Sequence, residues 1–220
     1  MRIMKFVTGV VVFSLLTLSL EMMAVAAPVD AMFKATNVTG GVVVHLGCGD
    51  GTRTCELRRN ERFLVHGLDA DQRNVERARQ HIQAAGCYGP VAVDRFDAKH
   101  LPYVDDMVNL LVVERAWKVT AKELMRVLAP RGQALISTEA GVQDLQDLRP
   151  TTVPGLEGWV RLSKPVSPDV DQWTHFLHDA TGNAVAGDQQ VGSPTSLRWV
   201  AGPRWCRSHE MPSSVGAVVT

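Results

Sequence analysis

Three glycines spaced two apart, Gly47, Gly49 and Gly51, break the β-branched run VVVHLGCGDG at residues 42–51. A turn built this way lets a ligand come close to the backbone, because glycine has no Cβ. A helix opening after such a turn points free N–H groups toward the ligand. The spacing is G-x-G-x-G, not the G-x-G-x-x-G of dinucleotide sites. Two carboxylates stand at suitable places downstream. Asp69 ends the stretch RFLVHGLD, where its oxygens can accept hydrogen bonds from both hydroxyls of a ribose. Asp97 follows PVAVDRF and can accept one from the exocyclic amine of an adenine, with Ala98 beside it small enough to admit the ring. Each feature also has a plainer reading, as packing glycines in a tight turn, an acid at a helix start, or a turn residue.

Proton transfer needs a base near the same edge, and Glu114 and His100 are the candidates by position. Both types occur more often as solvated loop residues, so no catalytic residue is assigned. The four cysteines have no metal-ligand spacing such as C-x-x-C, and no metal is expected.

Alternating strand and helix signals position these residues. Strands are predicted at 42–46, 62–69, 90–98, 106–114 and 133–138, with a short helix over 52–59. Asp71 caps a second helix that buries Val75, Ala78 and Ile82 and stops at Gly86. Thr120 and Glu123 form a T-x-x-E capping box for a third, which carries Leu124, Val127 and Leu128 to the break at residues 130–132. The pattern predicts an α/β fold: a Rossmann-like, doubly wound, mostly parallel sheet with helices on both faces, plus an irregular C-terminal segment. Right-handed crossovers put the loops after the first three strands on one edge.

Taken in order, VVVHLGCGDG, VHGLDADQRNVERAR, DRFDAKHLPYVDDMVNLLVVE and ELMRVLAPRGQALIS resemble the successive motifs of class I S-adenosylmethionine-dependent methyltransferases. The resemblance covers about residues 40–138. It implies that S-adenosylmethionine is the cofactor, held by Gly47, Cys48, Gly49, Gly51, Asp69, Ala70, Asp97 and Ala98. Its methionine part then lies over the glycines, its ribose at Asp69 and its adenine framed by Asp97 and Ala98. The chain departs from the family at His45. The family usually has an acid there, two residues before the first glycine, often held to engage the cofactor's amino group. The chain after the fifth strand is also short, with only GWVRLSKP available for a further strand.

The two ends of the chain read differently. Residues 1–26 combine Arg2 and Lys5, an apolar run of about 15 residues and the small residues AVA. They read as a cleaved signal peptide rather than a bilayer span, which needs roughly 20. The expected localisation is therefore exported, periplasmic or secreted, with no stable membrane span after cleavage. The four cysteines, Cys48, Cys55, Cys87 and Cys206, are read as unpaired or incidental. Residues 27–138 form the methyltransferase-like core, and 139–170 a linker with one possible last strand. Residues 171–205, with WTHFLHD, NAVA and GPRW, resemble the lead-in to a pyrroloquinoline-quinone-type β-propeller, and the resemblance implies that 171–220 begin a propeller-like region and that the chain is a front fragment. His175, His178 and Asp179 are metal ligands by type but read as residues pinning that irregular segment.

Formal charge is zero at 21% charged residues, and no basic run is present, so nucleic acid is not an expected partner. The expected function is methyl transfer to an unknown small-molecule or envelope acceptor. The alternative is a non-catalytic methyltransferase-fold binding or docking module beside a propeller. A nicotinamide-dependent oxidoreductase fits the sheet and Asp69 but not the glycine spacing.

Overall fold

The computed structural model describes residues 28–116 and 118–190. The signal-like segment and the last thirty residues, Cys206 among them, lie outside the described residues. The first element has no counterpart in the sequence expectations. Helix α1 (Val29–Thr36) starts after Pro28, buries Met32, Phe33 and Thr36, and ends where Asn37 turns to φ 55°. Asparagine tolerates that left-handed conformation better than most residues. Arg161 donates to the Ala35 carbonyl at 2.9 Å, which ties this helix to a strand 126 positions away.

Strands β1 (Gly41–Leu46), β2 (Phe63–Asp69), β3 (Val91–Arg95), β4 (Val108–Val113) and β5 (Leu128–Ser137) are parallel. The antiparallel β7 (Trp159–Ser163) and the two-residue β6 (Thr151–Thr152) complete the sheet in the order β3-β2-β1-β4-β5-β7-β6. Between them lie helix α2 (Thr52–Glu56), α3 (Gln72–Ala84) and α4 (Ala121–Val127). The predicted fold class is observed, and the suspected last strand is β7.

Burial explains why the central strands read as continuous apolar runs. Val43, Val65, Val93 and Leu110 face one core, shared with Phe33 of α1 and Val75, Ala78 and Ile82 of α3. Val44, Leu46, Leu68 and Leu111 face the other, shared with Leu124 and Val127 of α4. Strands buried on both faces lose the polar alternation of a half-solvated sheet.

Local chemistry sets the boundaries. Asp71 caps α3 by accepting from the Arg73 amide at 2.9 Å, and Gly86 follows at φ 68°. Thr120 caps α4 through the Glu123 amide at 3.2 Å, but the expected capping box is only half made. The Glu123 carboxylate instead accepts from the Leu101 amide at 2.8 Å and from Arg126. Arg126 also donates to the Leu101 and Tyr103 carbonyls. Residues 96–107 contain no helix, and this hub fastens that long connection to α4. Helix α2 is shorter than expected. β5 begins at Leu128, five residues earlier, with a register shift against β4 where Arg131 adopts φ 64°.

The expectation that all cysteines are unpaired is corrected. Cys55 of α2 is disulfide-bonded to Cys87 after α3, with Cα atoms 6.5 Å apart. Connectivity depends on which loops the fold brings together, and spacing in the sequence does not reveal it. Cys48 is free and buried.

Candidate functional site

Strand order reverses at β1. The chain leaves it toward β2 on one side, and β4 lies on the other. In open α/β sheets such a switch point opens a crevice beyond the carboxyl ends of the strands. Here the crevice is an open cleft of about 330 Å³, lined by His45, Gly47, Cys48, Gly49, Arg53 and Glu114, with Asp50, Thr52, Glu56 and Arg115 around them. Its size falls at the lower end of small-molecule sites.

The glycine loop forms its floor. Gly47, Gly49 and Gly51 all have positive φ, at 80°, 57° and 83°. Gly51 has no room for a side chain, since a Cβ there would stand 2.9 Å from Ala78 Cα and Cβ. A Cβ on Gly49 would meet nothing within 4 Å, so this residue faces the open side. The three glycines therefore divide the work: Gly47 leaves room for Arg115, whose Cβ would stand 2.8 Å from a Cβ there, Gly51 lets α3 pack against the loop, and Gly49 keeps the cleft clear.

Most amides of the loop itself are engaged within the protein. The amides of Gly47 and Cys48 bond to Leu68 C=O, that of Gly49 to Asp69, that of Gly51 to Cys48 C=O, and that of Thr52 to Asp50. Only five residues long, α2 adds little dipole. The loop itself contributes shape and access.

Asp69 is 1% exposed, and both its oxygens are engaged, Oδ2 by the Gly49 amide at 3.1 Å and Oδ1 by the Asp71 amide at 2.9 Å. Each carboxylate oxygen has a second lone pair, so a hydroxyl can still be accepted. Ala70 is partly buried, and its carbonyl accepts from Arg95 at 3.3 Å. Asp97 makes a tight turn, with Oδ1 accepting from the Lys99 and His100 amides at 2.8 Å each. These two bonds hold its carboxyl below the ordinary carboxylate value. Ala98 is buried at φ 64°. The Phe96 amide bonds to Asp69 C=O, so the ends of β2 and β3 are joined along the carboxyl edge.

The two candidate bases are separated. His100 is exposed, bonds to Asp97, and lines a different hollow with Lys99, Lys118 and Thr120. Glu114 stands in the cleft itself. Burial pushes its carboxyl up, but His45, Arg53 and Arg115 outweigh that, and the group lies below its ordinary value. An anion held this way is a weak proton acceptor and a good partner for a cation.

His45 was noticed in the sequence only as a missing acid. It is 1% exposed and bonds through Nδ1 to Thr54 Oγ1 at 2.9 Å. Its Nε2 faces Glu114 Oε1 at 3.7 Å. Both atoms are shut off from water, and neither makes a directed hydrogen bond. Arg53 Nη1 is 2.5 Å from the same Glu114 oxygen, an ion pair on the cleft wall. Arg53 gave no sequence signal, since nothing in its surroundings marks it as facing a cleft.

Among the described residues, no group of three His, Cys, Asp or Glu is placed to hold a metal, and no helix is long and apolar enough to cross a membrane.

Comparison with known proteins agrees with this geometry. Residues 43–132 match the family described as "Methyltransferase domain". An uncharacterized protein of Haemophilus influenzae is 30% identical over 102 residues, 42% of this chain and 40% of its own length. A demethylmenaquinone methyltransferase of Lactobacillus johnsonii is 26% identical over 159 residues, 66% of this chain and 63% of its own. The chain thus spans less than two thirds of either relative. A solved structure from Methanococcus maripaludis, assigned to the S-adenosylmethionine-dependent methyltransferases, superposes with a TM-score of 0.51 at 18% identity. That match covers 64% of this chain and 86% of the other, and it shows a shared fold. The parallel sheet and the switch-point cleft accord with that shared fold, and residues 43–132 carry the match to the methyltransferase-domain family.

Proposed function

We propose that the chain is an S-adenosylmethionine-dependent methyltransferase acting on a small-molecule or envelope acceptor. In this reading the methionine portion of the cofactor lies over Gly47, Cys48, Gly49 and Gly51. Asp69 and Ala70 serve the ribose, and Asp97 with Ala98 the adenine. The observation that carries the reading is the cleft at the switch point, clear above Gly49 and walled by the Arg53–Glu114 ion pair.

Bound there, the cofactor supplies a methyl group on a positively charged sulfur, open to in-line displacement. The chain's part is to hold and align. Asp69 fixes the glycine loop against α3, the acids along the cleft favour a cation, and the open side above Gly49 admits an acceptor. The docking-module alternative has less support, because it has no need of the clear cleft.

Export is part of the proposal. The character of residues 1–26 supports it, and so does the Cys55–Cys87 disulfide, a bond that persists in oxidising compartments. The propeller lead-in rests on sequence resemblance from residue 171 on. The described part, 171–190, is irregular apart from an isolated bridge between His175 and His178.

Ultraviolet crosslinking of methyl-labelled S-adenosylmethionine, followed by peptide mapping, tests the placement. Label on the peptides carrying residues 45–56 or 114–115 is the expected result. Label confined to other peptides, or none on the folded chain, counts against it.

A further inference from the structure

Helix α2 carries one wall of the cleft but is too short to hold itself in place. Thr52, Arg53 and Glu56 line the cleft, and the whole helix has five residues. A helix of that length is not stable alone in water, so its position depends on what fastens it. On the sheet side, buried Thr54 bonds to His45 at 2.9 Å, and Leu57 just beyond the helix is buried in the core. On the α3 side the fastening is covalent. Cys55, which falls between the cleft-lining Arg53 and Glu56, is joined to Cys87.

Helix α3 is the firmer partner. It has 13 residues, buries Val75, Ala78 and Ile82, and starts where Asp69 holds the Asp71 amide. The disulfide thus extends the rigidity of α3 to α2, and through α2 to Arg53. Its α3 end can be reached from outside. Cys87 is half-buried, but Gly86 before it and Tyr88 after it are exposed. A hollow of about 550 Å³, lined in part by Ile82, Gln83 and Tyr88, opens beside the same turn.

We propose that Cys55–Cys87 is a thiol-exchange site that controls cofactor binding. This assignment rests on the methyltransferase reading above. A dithiol is the reductant. One of its thiolates attacks Cys87 Sγ, and the Cys55 sulfur leaves as a thiolate. The second thiolate attacks the mixed disulfide, Cys87 is released, and the reagent departs as its own disulfide. Two electrons pass to the protein, and the two thiol protons of the reagent end on Cys55 and Cys87. α2 is then held from the sheet side alone. Binding has to order it, and that cost lowers affinity. By linkage, a ligand that prefers the bridged form makes the bridge harder to reduce by the same factor.

Titration of the full chain with S-adenosylhomocysteine, before and after treatment with dithiothreitol, tests the proposal at a temperature where circular dichroism shows both samples folded. Reduction is expected to weaken binding about fivefold, and reoxidation to restore it. A chain carrying both Cys55→Ser and Cys87→Ser is expected to bind like the reduced form and to ignore dithiothreitol. Saturating S-adenosylhomocysteine should lower the reduction potential of the bridge by about 20 mV, the same factor at about 30 mV per tenfold. Phe63→Leu, a core change at the end of β2 away from the cleft, controls for lost stability and should bind within twofold of wild type. Equal affinity in the two redox states overturns the proposal and leaves the cofactor reading standing. So does an equal loss in Phe63→Leu, and so does a reduced chain that unfolds, since control of the cleft requires a folded reduced form. A folded, bridged chain that binds no S-adenosylhomocysteine removes the methyltransferase reading itself, and this assignment with it.

Discussion

The Asp69 carboxylate accepts the Gly49 amide at 3.1 Å, so the acid at the end of β2 holds the central glycine of the loop after β1. Its other oxygen holds the Asp71 amide at the start of α3. One buried side chain thus shapes the floor of the cleft and fixes the adjoining helix, in addition to any contact with a ligand.

Asp69→Ala leaves two amides without their acceptor, each worth about 1–3 kcal/mol when buried. The variant is expected to lose about 2 kcal/mol or more of folding stability by urea denaturation, and to bind S-adenosylhomocysteine more weakly. Asp69→Asn keeps one carbonyl oxygen and should recover part of the stability. An unchanged midpoint for Asp69→Ala would show that the clamp does not hold the loop.

Gly51 and Gly49 should respond differently to alanine. At Gly51 the added Cβ meets Ala78 at 2.9 Å on a backbone with φ 83°, so overpacking and left-handed strain combine. A loss of about 2–4 kcal/mol is expected. Gly49→Ala meets only the backbone term, about 1–2 kcal/mol, but it narrows the cleft and should weaken cofactor binding more than stability. Thermal melts beside binding titrations distinguish the two, and equal destabilisation would contradict the division of roles.

The Cys55–Cys87 bond joins α2 to the turn after α3, across 32 positions of sequence. Bonds of this kind typically contribute about 2–4 kcal/mol, so a reductant should lower the melting temperature. Cys48 should stay unlabelled by a thiol reagent in the folded chain, because burial and the nearby Asp69 push its thiol up to about 12. Peptide mapping without reduction checks both, and rapid labelling of Cys48 would count against its burial.

Glu123 supplies a pH signature. Its bonds to Arg126 come first among the causes that hold the carboxyl below its ordinary 4.5, with the Leu101 amide adding to them against some desolvation. A depressed carboxyl stabilises the fold above the unfolded-state value, and the contribution is lost as pH falls through the lower folded-state value. Glu123→Gln should therefore be less stable than wild type at pH 7, by about 1 kcal/mol after discounting for solvent. The two should converge as the pH drops below 4.5. A gap that persists unchanged at pH 3 would assign the effect to packing instead.

What could be read in advance followed local rules. The three glycines, the Asp71 cap and the Val75, Ala78 and Ile82 stripe depend on spacings within one element, and all stand where periodicity placed them. Thr120 was legible for the same reason, but Glu123 was not, because its partners Leu101 and Arg126 meet it only once the 96–107 connection folds back on α4. Helix α1 was missed because its eight residues lie between a signal-like segment and a strong strand. The Cys55–Cys87 pair and the meeting of His45 with Glu114 join residues 32 and 69 positions apart in the chain. Only the order of the strands brings them together. The cleft's floor was thus visible in the sequence, and its charged wall was not.

The central claim is that the cleft above Gly49 binds S-adenosylmethionine. Calorimetric titration of the purified, folded chain with S-adenosylmethionine and with S-adenosylhomocysteine tests it most directly. Saturable binding of each ligand, at one per chain and weakened by Asp69→Ala, is the predicted result. No heat from either ligand at millimolar concentration, with the sample shown to be folded, would contradict the account.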